Sequence, residues 1–174
     1  MDFDQVLANR QSIRKFKSTE ISDETIREIL NLAQLAPSAG NLQAYKIKIV
    51  KTEDGKIKLK EATFTRSFIK QESVLSAPVL FVICADQMES EKVFKTRGSD
   101  LYAVQDATIF AAYLQLAITA KGLASVWVGS FVEEDVRSVL SLPKNLRPII
   151  IIPCGYSDEE PKPRQRKNLN ELII

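Results

Sequence analysis

The stretch from about Asp100 to Lys121 constrains the fold more than any other part of the sequence, because its middle, ATIFAAYLQLAITA, is apolar nearly all round at helical spacing. A helix without a polar face has to be buried on every side. A domain of 174 residues offers few ways to wrap a helix completely, and the simplest is to pack it against a second copy of itself. A homodimer is therefore expected, and Gly122 supplies the helix with its C-terminal stop. Apolar residues make up 45% and charged residues 26% of the chain, which suits one globular domain over residues 1–174. Such a chain buries roughly 70% of its unfolded surface and can form a core without disulfides or a structural metal.

Around that helix the pattern alternates between helices and strands. Residues 3 to 9 suit a short helix, and RQSIRKF from Arg10 to Phe16 an irregular basic segment. A second helix starts after Ser22 as N-cap, with Asp23 and Glu24 complementing its dipole and Ile26, Ile29, Leu30 and Ala33 on one face, and it ends at Pro37. The loop PSAGNLQ leads to a half-buried strand in which Tyr45, Ile47 and Ile49 alternate with Lys46 and Lys48. Residues 56 to 74 are charged and predicted helical. Val79 to Ala85 is apolar throughout, as a central strand covered on both faces would be. Strand, helix and strand return at Ser125 to Val128, Glu133 to Leu140 and Ile149 to Cys154. The fold class is α+β, a small sheet of four or five strands flanked by helices. Cys84 and Cys154 fall within the strands and read as small buried thiols. The polar tail ends in Leu172, Ile173 and Ile174, so residues 157–174 are expected to dock on the partner subunit.

Several classes of function are disfavoured. No secretory leader pattern and no uninterrupted apolar run near 20 residues is present, so neither export nor a membrane span is expected and a cytoplasmic address follows by default. A net charge of +2 from 24 basic and 22 acidic residues is wrong for a surface that tracks nucleic acid. The chain has no histidine, which removes His-type zinc sites, Ser-His and Cys-His pairs and the commonest general base. Its six glycines form neither a dinucleotide nor a P-loop fingerprint.

Two basic clusters remain, Arg10, Ser12 and Arg14 near the start and Arg164 and Arg166 in the tail run PKPRQRK. Each alone reads as a solvated charge run. If the two ends meet, guanidinium forks and the Ser12 hydroxyl make a site for one phosphate monoester. Three charge-assisted hydrogen bonds at about 1.5 to 3 kcal/mol each give about 5 to 9 kcal/mol, against about 8 kcal/mol for micromolar binding.

The motifs R-x-S-I-R-x-F, A-P-S-A-G-N-L-Q, Q-D-A-T-I-x-A-A-Y-L with W-V-G-S-F, and P-K-P-R-x-R-K, in this order from Phe3 to about Leu169, resemble the nitroreductase family. The resemblance implies a mostly antiparallel sheet, an intertwined homodimer, non-covalent FMN at the interface, and NADH or NADPH as electron donor. By matching positions, Arg10, Ser12, Arg164 and Arg166 hold the FMN phosphate and ribityl oxygens, and Arg14 faces the pyrimidine edge of the ring. A positive charge about 4 Å from an anionic reduced flavin contributes up to about 4 kcal/mol at an effective dielectric of 20. Pro37, Ser38, Ala39, Asn41 and Gln43 match a segment that reaches the flavin from the other subunit. Trp127, Val128, Gly129 and Ser130 match a turn on the opposite ring face, with the N–H groups of Gly129 and Ser130 near N5 and O4. A lone tryptophan after a strand is itself more often core. Ala44 and Tyr45 depart from the Pro-Trp of many relatives, and Arg66 stands where relatives often place an amide.

The implied reaction is a ping-pong hydride transfer from nicotinamide to a small-molecule oxidant such as a nitroaromatic or quinone, with no side-chain acid or base. Two alternatives stay open. One keeps the flavin but changes the reaction, to a dehydrogenase, a dehalogenase or a flavin-fragmenting enzyme. The other is a non-enzymatic phosphate- or nucleic-acid-binding module built on the arginines.

Overall fold

The computed structural model describes residues 1–64, 71–161 and 164–174. In chain order the elements are α1 (Phe3–Asn9), α2 (Asp23–Ala33), β1 (Tyr45–Val50), α3 (Glu53–Ala62), α4 (Glu72–Ser76), β2 (Val79–Asp86), α5 (Gln87–Arg97), α6 (Ala103–Ala120), β3 (Ala124–Ser125), α7 (Glu133–Leu140) and β4 (Leu146–Gly155). The strands form one antiparallel sheet in the order β1-β2-β4-β3.

β2 is the central strand that its composition requires. Every one of its residues is buried, because alternate side chains enter two different cores. Phe81 and Ile83 join Ile150 and Ile152 of β4 on the face covered by α2 and α6. Leu80, Val82 and Cys84 join Ile151 on the other face, covered by Leu59 of α3, Val74 of α4 and Val136 of α7. Three layers result, helices on sheet on helices. Burial pushes the Cys84 thiol up to about 11 and the Cys154 thiol up to about 12, so both are inert, structural thiols.

Local signals account for the helix ends. The Ser22 hydroxyl accepts the Thr25 N–H at 3.1 Å, and Asp2 and Gln5 close a capping box on α1. Gly122 follows α6 with φ +73°, the left-handed stop that glycine adopts without strain. α2 ends at Ala33, earlier than Pro37, because Leu35 and Ala36 turn back on Leu32 and Ala33 with short-range hydrogen bonds.

Three elements differ from expectation. α5 has no apolar face, and the sequence pattern gave no sign of it. It runs into α6 through a kink at Lys95 (φ 56°) and a π-turn over Gly98–Tyr102. The whole run Gln87–Ala120 is long and apolar enough to cross a bilayer by length and composition, but half of its most apolar window is buried within the fold, as in a core helix. β3 is only two residues long, with Val128 adding an isolated bridge to Ile151. In β1, Ile49 is exposed although it sits in the alternating apolar set. Within a single chain, the full burial expected of α6 is met on the sheet side only. Phe110, Leu114 and Ile118 are fully enclosed against the sheet, while Ala112, Tyr113 and Ala120 lie on an exposed stripe.

Gly155, the last residue of β4, sits where a Cβ would come 2.7 Å from the Pro78 ring and 3.1 Å from the Phe16 ring. The proline ring cannot rotate away. Gly155→Ala should therefore lower stability by about 1–3 kcal/mol in urea unfolding, and a change below about 0.5 kcal/mol would mean that the Phe16 segment yields freely.

Candidate functional site

The site begins at the edge of the sheet. Gln115 of α6 donates from Nε2 to the buried Ser125 hydroxyl at 3.2 Å, fixing β3. Ser125 in turn pairs in parallel with Ser12, and its carbonyl accepts the Ile13 N–H at 3.0 Å. The N-terminal arm thereby becomes an extra edge strand, anchored by the buried Ile13 and Phe16. The chain leaving β4 pairs with the next part of the arm. Lys17 N–H donates to the Tyr156 carbonyl at 2.9 Å, Asp158 N–H donates to the Lys15 carbonyl at 3.0 Å, and Phe16 bridges Ser157.

This pairing brings the two ends of the sequence together. Arg10, Ser12, Arg14, Arg164 and Arg166 line one cavity of about 630 Å³, with Gln11, Glu159, Glu160 and apolar groups of Leu7, Ala8 and Pro161. Among the described residues none of these four guanidinium groups forms an ion pair, and the Ser12 hydroxyl makes no hydrogen bond. Four arginines against two carboxylates leave the cavity with an excess of positive charge, which favours an anion. Neither Glu159 nor the Gln11 amide was expected there from sequence.

The turn after β3 lies on the same strand line. Val128 is engaged in the fold through its buried side chain and through both of its backbone hydrogen bonds to Ile151, each at 3.0 Å. Gly129 and Ser130 are exposed, and among the described residues their N–H groups make no backbone hydrogen bond. A Cβ at Gly129 would meet the Trp127 ring at 3.5 Å and nothing closer. Trp127 is 39% exposed rather than core, because the turn carries it out of the sheet.

The loop from Pro37 to Gln43 is built differently. Gly40, Asn41 and Gln43 all have φ near +50°, a conformation that costs non-glycine residues energy and persists only where the surroundings enforce it. The enforcement comes from Asp106 on α6, 2% exposed, whose carboxylate accepts the Ala39 N–H at 2.9 Å and the Ala44 N–H at 3.4 Å. The Ser38 hydroxyl closes the loop by accepting the Gln43 N–H at 3.0 Å. An acid in the first turn of an otherwise apolar helix was the one sequence signal for this anchor. Pro37, Ser38, Ala39 and Asn41 do not line the arginine cavity; Gln43 lines a second hollow with Gln34, Tyr45, Lys46 and Phe110. There Tyr45 stacks on Phe110 with ring centroids 4.4 Å apart. Burial, with the Asp106 charge, raises the pKa of its phenol above the ordinary value, so the phenol is a weaker acid than usual. Arg66 lies outside the described residues.

The family model described as Nitroreductase family matches residues 7–67 and 63–156, which include the arm, the loop and the turn. The chain belongs to the nitroreductase family. An NADH dehydrogenase of Thermus thermophilus is 28% identical over 201 aligned positions, covering 100% of this chain and 96% of that protein. An FMN-dependent nitroreductase from Clostridium difficile R20291 is 30% identical over 92% of this chain and 90% of its own, with a TM-score of 0.78. A nitroreductase family protein from Clostridium difficile 630 superposes with a TM-score of 0.86 at 28% identity, covering 100% and 98% of the two chains. The family fold therefore extends along the whole chain.

Removing the Asp106 carboxylate strips two backbone donors of a charged acceptor. Asp106→Ala should cost about 2–4 kcal/mol in equilibrium unfolding, and a cost under 1 kcal/mol would show that the loop conformation is held by something else.

Proposed function

We propose that the protein is an FMN-dependent oxidoreductase that takes electrons from NADH or NADPH and passes them to a small-molecule oxidant, with nitroaromatics and quinones as test acceptors. One observation carries this reading: in a member of the nitroreductase family, four unpaired arginines and the Ser12 hydroxyl converge from both chain ends on one cavity. The residues fit the cofactor. The cavity, about 630 Å³, falls within the roughly 300–1,000 Å³ of cofactor sites, and its guanidinium forks match the geometry of a phosphate dianion.

FMN, when bound, supplies the two-electron hydride chemistry. In this reading Arg10, Ser12, Arg164 and Arg166 bind the phosphate and its neighbouring hydroxyls. Arg14 favours negative charge at the pyrimidine edge, and the N–H groups of Gly129 and Ser130 donate to the polar edge of the ring. No side chain is needed as acid or base, in keeping with a chain that has no histidine. The residues act by positioning and by preorganised electrostatics.

In this reading the loop from Pro37 to Gln43 completes the site from a second subunit; within one chain neither this loop nor the turn of Val128, Gly129 and Ser130 lines the arginine cavity. Two further features favour a dimer. α6 exposes Tyr113 at 40%, and the tail exposes Leu169, Leu172 and Ile173 at 67%, 62% and 64%. Apolar side chains bared on a central helix and on a chain end are typical of surfaces that a partner covers.

An absorbance spectrum with added FMN, followed by anaerobic NADH and then NADPH, tests the reading. Flavin bands that bleach with either nucleotide are expected, and absence of FMN binding would overturn it. Arg166→Ala should weaken FMN binding about 10- to 100-fold in a fluorescence titration and leave the dimer intact; unchanged affinity would remove Arg166 from the site. Sedimentation at micromolar concentration should give a dimer, and a stable monomer would contradict the shared site.

A further inference from the structure

An anion site that contains two carboxylates calls for an explanation, since like charges weaken binding. Glu159 supplies one. Its Oε1 accepts the backbone N–H of Arg14 at 2.5 Å, and its own backbone is held by Ser157, whose hydroxyl donates to the Glu159 carbonyl at 2.6 Å. This is the last bond of the zipper between arm and tail, beyond the pairs Lys17–Tyr156 and Lys15–Asp158. It closes where the tail turns away toward Arg164 and Arg166, while Arg10, Ser12 and Arg14 stand on the arm opposite. The carboxylate is half-buried, and Arg14 itself is exposed. Its guanidinium reaches only the Ser12 carbonyl, at 3.4 Å.

We infer that Glu159 is a positioning residue for the cofactor, a clasp that sets the arm and tail arginines at the spacing of one phosphate by holding the Arg14 main chain. This rests on the FMN reading above. The role requires an acceptor oxygen, not a charge. A negative charge at that position opposes the phosphate, so the two properties of the side chain act in opposite directions on binding and can be separated. A rival role for the same carboxylate is that it stands in for the anion and must be displaced.

The experiment compares FMN affinity in wild type, Glu159→Gln and Glu159→Ala, together with amide exchange of Arg14 measured by NMR without FMN. Glutamine keeps the acceptor and removes the charge, so it should bind FMN as tightly as wild type or up to about tenfold tighter and keep the Arg14 amide protected. Alanine should bind about tenfold or more weakly and lose the protection. Tighter binding by both variants would identify the carboxylate as a competitor of the anion and overturn the clasp. Equal weakening of both, or no change in either, would overturn it as well. Failure of the wild type to bind FMN would overturn the cofactor reading and the positioning role together, and the exchange data would still show whether the clasp exists in the free protein.

Discussion

The packing of α6 on the two central strands is the interaction on which the rest of the structure depends. Phe110, Leu114 and Ile118 are buried on β2 and β4, and burial of three such side chains contributes roughly 5–9 kcal/mol by transfer. Two of the buried polar side chains on the same helix reach other elements, one toward each end. Asp106 holds the strained loop from Pro37 to Gln43, and Gln115 holds Ser125 at the sheet edge. From Ser125 the pairing passes to the arm, and from the arm to the tail. The loop and the arginine cavity are thus both referred to one rigid element, which is how parts distant in sequence keep a fixed relation.

The cavity concentrates charge in a protein that is nearly neutral overall. The chain carries a net +2, while four arginines share one concavity with two carboxylates. The cost of bringing like charges together is kept small by exposure, since Arg14, Arg164 and Arg166 all reach solvent and water and salt screen them. An anion that neutralises them stabilises the folded form in turn. The backbone strain at Asn41 and Gln43 lies elsewhere, in a loop that its own chain does not use at that cavity. Strain of this kind is usually retained where geometry serves binding.

Much of the fold was legible in the sequence because it follows from local rules. Ser22 caps α2, Gly122 ends α6, and the unbroken apolar run from Val79 to Ala85 marks a doubly covered strand. α5 was not legible. It lacks an apolar stripe, and the π-turn after it blends into α6. The exposed Trp127 and Ile49 ran against composition because exposure depends on where a turn or an edge strand leaves the sheet. For the site, the arginine clusters and the loop motif stood out as residue types. Asp106 was present in a quoted motif without a role, and Glu159 carried no signal, since one acid in a charged tail looks like any other.

What the sequence by itself determined is the set of parts: helices and strands whose periodicity dictates their buried faces, a phosphate-type donor set split between the two chain ends, and motifs in the order of the nitroreductase family. What only the tertiary structure decided is their meeting. Arm and tail are adjacent because their backbones satisfy one another across Lys15, Lys17, Tyr156 and Asp158, and main-chain hydrogen bonds leave no mark in residue identity. The same holds for α6, whose apolar composition required burial but could not say which face the sheet would take and which would remain bare. That choice depends on the shape of the neighbouring layer, which exists only once the chain has folded.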